Sequence, residues 1–174
     1  MGNVTGLEFL HKIFYISQGI MLSQIREIAG IDGSTLQNWT KRGWVANAKL
    51  KKYSMEQLAR ILIINMLRDC MQLDRIVFVL RYLNGDEKDG QEARIVSESE
   101  LYDYLCLLIE HLAQESVSEQ TLHSLIDSVL ADYREPFGGA KLRLCRALEI
   151  FIIAYAASSM KKQADALYVS LISR

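Results

Sequence analysis

Along most of the chain apolar residues recur every three or four positions, the spacing that gathers them on one face of a helix. Leu7, Leu10 and Phe14 form the first such stripe, and Thr5 with Glu8 makes a capping box in front of it. The pattern predicts a helix over 6–18, stopped near Gly19. Leu22, Ile25 and Ile28 repeat it over 21–30, where Gly30 and the GIDG turn interrupt. Leu36 and Trp39 mark a short third helix that ends at Gly43, with Asp32 or Ser34 placed to cap it. Two helices joined by a three- or four-residue glycine turn have the outline of a helix-turn-helix. Residues 44–53 lose the helical period. Trp44, Val45 and Tyr53 suit strands and 46–49 reads as a loop, so a small hairpin, or wing, is expected.

Ser54 and Gln57 form a second capping box, followed by a strongly apolar helix over 55–69. Another runs from about Leu73 to Asn84. Residues 86–98 are charged and lack an apolar period, and read as a linker. Three more helices follow: one with Leu101, Leu105, Leu108 and Leu112, one with Leu122, Leu125, Ile126 and Val129, and a last over about 140–172. The expected fold class is therefore all-α with a small β wing, in two parts: an N-terminal domain over 1–85 and a C-terminal helical domain over 99–174. One proline in 174 residues agrees with helices rather than a turn-rich β fold.

Charge changes the picture once it is divided. The formal total is −1, but residues 22–84 carry a net +5 and residues 85–174 a net −6. A basic front and an acidic back point to a polyanionic partner for the front. The most apolar run, 147–160, includes Glu149 and falls short of the roughly 20 apolar residues that cross a bilayer. No signal segment opens the chain, so a soluble, cytoplasmic protein without membrane contact is expected. Cys70, Cys106 and Cys145 are isolated thiols in apolar surroundings, read as small core residues. Neither metal nor cofactor is expected.

The candidate chemistry lies in the stretch STLQNWTKRGW, 34–44. If Leu36 and Trp39 seat the helix on a core, Ser34, Thr35, Gln37, Asn38, Lys41 and Arg42 face outward or flank that face. Asn and Gln can pair at two points with adenine in the major groove. Ser and Thr reach phosphates or bases, and Lys and Arg neutralise phosphates. No carboxylate occurs between Gly33 and Tyr53, whereas Lys49, Lys51 and Lys52 follow in the wing, with Tyr53 beside them as either a further phosphate contact or a packing residue under the wing. The first helical turn adds backbone donors for a phosphate. The bland alternative is a solvated helix beside a lysine-rich loop.

The segments IREIAGIDGSTLQNW, KRGWV, KKYSMEQLARI and MQLDRI, in this order and spacing, resemble the DNA-binding domain of MerR-like regulators. The resemblance covers about 60 residues. It implies a winged helix-turn-helix that binds double-stranded DNA. Gln37 and Asn38 stand where such domains usually carry Arg and Tyr. The whole chain also resembles a bacterial family known as a domain of unknown function, which implies an architecture and no activity.

Catalytic signatures are missing from the sequence, with no GxSxG, HExxH or phosphate-binding glycine loop. The expectation is a non-enzymatic, sequence-specific DNA-binding regulator. A protein-interaction adaptor and an excisionase-like architectural protein are the alternatives. A homodimer through the C-terminal helices is expected. Leu144, Leu148, Phe151, Tyr155 and Ser159 of the last helix are its first candidate surface, and burial of that stripe within the chain is the competing reading. The sequence names no small-molecule effector.

Overall fold

A computed structural model describes residues 4–85, 94–112 and 119–172. Eight helices and one two-stranded antiparallel sheet make up the regular structure of those residues. The protein is all-α with a small β wing. In chain order the elements are α1 (Gly6–Phe14), β1 (Ile20–Met21), α2 (Leu22–Ala29), α3 (Gly33–Lys41), β2 (Lys52–Tyr53), α4 (Met55–Leu67), α5 (Leu73–Asn84), α6 (Glu98–Leu112), α7 (Glu119–Val129) and α8 (Ala140–Ile172).

The capping boxes form at both places the sequence marks. Thr5 and Glu8 close α1, and Ser54 and Gln57 close α4. Gly30 ends α2 in the left-handed region at φ 63°, its N–H returning to the Arg26 oxygen. The first helix is shorter than expected and stops at Phe14, leaving Tyr15 and Ile16 exposed. Its start is fixed from far along the chain, because the Leu7 N–H donates to Asp103 Oδ1 of α6 at 2.7 Å. There α1 lies so close to α6 that a Cβ at Gly6 would stand 3.1 Å from the Asp103 Cα and the Cys106 Sγ.

α4 is the central post. Leu58, Ala59, Ile61, Leu62, Ile63, Ile64 and Leu67 are all buried, so it is covered on most of its circumference. It packs against α1, α2, α5, α6 and α8. One hydrophobic cluster runs from Leu10 through Leu36, Trp39 and Ile61 to Leu105, Leu148 and Phe151. Part of the segment 86–98, expected as a linker, takes part: Ile95, Val96 and Glu98 are buried, and the Asn84 Oδ1 accepts from the Ile95 and Val96 N–H groups. Residues 86–93 of that segment lie outside the described residues. In α8 Leu144, Leu148 and Phe151 of the candidate stripe are buried in the protein's own core, and Tyr155 and Ser159 are half-buried. Arg143 fixes that end of α8 by donating to the Tyr82 oxygen while lying over the Tyr82 ring.

The wing forms with a different arrangement from the one expected. Trp44 and Val45 are buried outside any strand. The strand partner of Tyr53 is Ile20, ahead of α2, and Met21 pairs with Lys52. The reversal falls at Leu50 and Lys51 rather than at 46–49, and Lys49 and Lys52 exchange both backbone hydrogen bonds across it. Both turn residues take positive φ, 50° and 62°. Twisted two-residue hairpin turns of this kind favour Asn and Gly, and this sequence has neither there, which is why its pattern misplaced the turn.

Candidate nucleic-acid interface

The third helix is held by what it buries and how it starts. Leu36 and Trp39 are inside. On the opposite side Ser34, Gln37, Asn38 and Lys41 are exposed and fall within about 100° of one another at 100° per residue. Thr35 is half-buried on the flank, and the Thr40 hydroxyl donates to the Leu36 oxygen at 2.9 Å. The exposed face therefore carries a hydroxyl, two amides and an ammonium.

Asp32 caps this helix. Its Oδ1 accepts from the Thr35 N–H and from the Ser34 hydroxyl, each at 2.6 Å. The Ser34 hydroxyl followed by the Thr35 donors holds the carboxyl down at about 2, so it is charged at neutral pH. The helix start expected to meet a phosphate thus carries an anionic cap that takes the Thr35 N–H, and Ser34 adds a second bond to that cap rather than being the cap itself. Asp-x-x before an apolar periodic segment is the sequence signal for that cap.

Beyond the helix, Arg42 is exposed and its guanidinium sits 5.0 Å from the Trp44 ring centroid. Such stacking holds the charge in place at the foot of α3. Asn38, Arg42 and Trp44 share a shallow open cleft of about 600 Å³ with Arg68, Gln72 and Asp74. The last three come from the α4–α5 junction, and no local pattern announces their meeting with α3. Lys49, Lys51 and Lys52 are all exposed on the wing. Leu50 at its tip is 97% exposed. Tyr53 stands apart from the other candidates, at 9% exposure, with its phenol pushed up by burial. It is a packing residue under the wing.

Polar contacts tie this front to the helices behind it. Arg60 of α4 donates through Nε to the Trp44 oxygen and through Nη1 to Glu98 Oε1, both at 2.6 Å. Gln57 donates to the Ala46 and Asn47 oxygens. Glu56 accepts from the Glu98 N–H and the Ser99 hydroxyl, so a residue of α4 caps the start of α6.

Residues 11–105 match the family model described as a domain of unknown function, DUF1836. The chain belongs to the DUF1836 family. Neither the curated proteins nor the solved structures gave a match. The matched DUF1836 stretch begins within α1 and ends within α6. It thus contains α3, the wing, the cleft and the Arg60–Glu98 contact in one unit, while α7 and α8 lie beyond it. Among the described residues no group of His, Cys, Asp and Glu is placed to hold a metal, and no helix is long and apolar enough to cross a membrane. The three thiols form no disulfide and are half-buried, and burial pushes Cys106 and Cys145 up, away from the reactive thiolate.

Proposed function

We propose that this DUF1836 protein binds double-stranded DNA with sequence preference and acts as a transcriptional regulator, through a MerR-like winged helix-turn-helix made of α2, α3 and the wing. The observation that carries the reading is the exposed face of α3. Ser34, Gln37, Asn38 and Lys41 stand opposite the buried Leu36 and Trp39, and the wing adds three exposed lysines with no carboxylate on either element. Amides on a rigid helix suit adenine edges, and the lysines suit phosphates. The role is one of binding rather than catalysis. Selection from a random-sequence duplex pool tests it. Recovery of a defined site supports the reading, and recovery of no enriched sequence contradicts it.

One feature favours an architectural contribution as well. Leu50 projects from the tip of a turn whose two central residues hold costly positive-φ conformations. Apolar wedges of this size, flanked by lysines, are used in minor grooves to open a base step and bend the duplex. On this reading the wing grips the backbone and Leu50 enters the groove. Bending of the bound duplex, measured by end-to-end energy transfer, supports the wedge; a straight duplex contradicts it and leaves the helix reading intact.

A further inference from the structure

α8 extends well past the helices that support it. Its inward face, Leu144, Ala147, Leu148, Phe151 and Ile152, is buried. From Met160 onward every described residue is exposed. Ser158 Oγ to the Asp69 oxygen and Lys162 to Asp69 tie the root of this stretch to the end of α4. A helical end of this length is marginal alone in water. It is nevertheless rich in apolar residues, including Met160, Leu167 and Leu171, each about 70% exposed.

These exposed residues form a heptad seam. Ile150, Ile153, Ala157, Met160, Ala164, Leu167 and Leu171 follow one another at spacings alternating between three and four. The seam lasts three heptads and about 32 Å at 1.5 Å per residue. All seven are exposed. At 100° per residue the seam lies on the far side of the helix from the buried face, so α8 is apolar on two opposite sides.

We infer that this seam is covered by the same seam of a second copy, with the two α8 helices antiparallel. The order of side-chain sizes selects the occupant and the direction. A parallel pair in register would set Ala157 on Ala157 and Ala164 on Ala164, leaving two gaps in one coil. An antiparallel pair centred between Ser158 and Ser159 sets Ala157 against Met160, Ile153 against Ala164 and Ile150 against Leu167. Small then meets large in the central layers, and the six residues from Ile150 to Leu167 are their own complement, as a two-fold interface requires, with Leu171 falling beyond them opposite Arg146. The flanking charges agree: Glu149 comes to face Ser170 and Lys161 to face Ala154, with no like charges opposed.

The inference stands apart from the DNA reading. The test is the mass of the full chain in solution by light scattering at micromolar concentration, beside the variant Met160→Glu/Leu167→Glu. Both changes lie on the exposed seam, so circular dichroism of the variant should keep the melting transition of the body. A dimer that the variant reduces to a monomer is expected. Direction is read by oxidative cross-linking, with the unaltered chain as the control for its three native thiols. Ile153→Cys and Ala164→Cys should cross-link when mixed and stay unlinked singly, because like positions are then roughly 16 Å apart along the axis. A monomeric full chain, or a dimer that survives the double variant, would overturn the seam. Cross-linking of either cysteine variant alone would overturn the antiparallel direction.

Discussion

Arg60 and Glu98 meet at 2.6 Å across 38 positions of sequence, and the same guanidinium holds the main-chain oxygen of Trp44. One side chain thus joins the foot of α3 to the first turn of α6. Removing one partner of a buried pair strands the other charge and typically costs about 3–5 kcal/mol. Arg60→Ala is expected to destabilise on that order in urea unfolding. A change below about 1 kcal/mol would show that the pair is dispensable.

Glu98 also gives the fold a pH dependence. Burial pushes its carboxyl above the ordinary 4.5, with Arg60 pulling it back only in part. Its second oxygen, Oε2, is buried with no hydrogen-bond partner among the described residues, which leaves room for a proton. The unfolded chain releases that proton at lower pH than the folded chain does. Between the two values the unfolded state binds fewer protons, so this group's contribution is full below the ordinary value and is lost as pH rises through the folded one. Comparing melting curves of the protein and Glu98→Gln from pH 4 to 8 should show a decline with pH that the variant lacks. Parallel curves would remove Glu98 as its source.

The wing lysines are expected to supply affinity without sequence preference. Each phosphate contact contributes about −0.9 to the slope of log affinity against log salt. Changing Lys49, Lys51 and Lys52 together to Ala should weaken binding to every duplex and flatten the slope by roughly 2–3. An unchanged slope would place the wing away from DNA.

Gln37 and Asn38 are expected to supply the preference. Replacing a bidentate amide by Ala should cost about 1–3 kcal/mol at one base position and little on unrelated DNA. Competition binding with single-base variants of the selected site reads this directly. Both variants retaining the selected sequence would mean that other residues read the bases.

Leu50→Gly separates function from stability. Glycine relieves a left-handed residue's strain of about 1–2 kcal/mol while costing roughly 0.5–1 in backbone entropy. Stability should hold or rise slightly, whereas DNA affinity and bending should fall. Affinity and bending that follow stability upward would exclude a wedge.

How far the sequence could be read depends on the range of the interactions. Both capping boxes and the Gly30 stop are local, and each was legible within four residues. The outward face of α3 followed from Leu36 and Trp39 alone. What escaped depends on distant partners. Asp103 fixes the start of α1, Glu56 caps α6, and Ile20 pairs with Tyr53, none of which leaves a short-range pattern. The wing turn escaped because Leu50 and Lys51 adopt backbone angles their side chains disfavour. Tyr53 lies inside because its strand pairs with Ile20, which precedes α2 and α3 in the chain.

Fluorescence anisotropy of a labelled random-sequence duplex, titrated with the full chain at two salt concentrations, tests DNA binding most directly. Saturable binding that weakens steeply with salt is expected, with a slope of up to about −4.5 per copy if Lys41, Arg42, Lys49, Lys51 and Lys52 all meet phosphates. No binding at low salt, or binding that salt leaves unchanged, would contradict it.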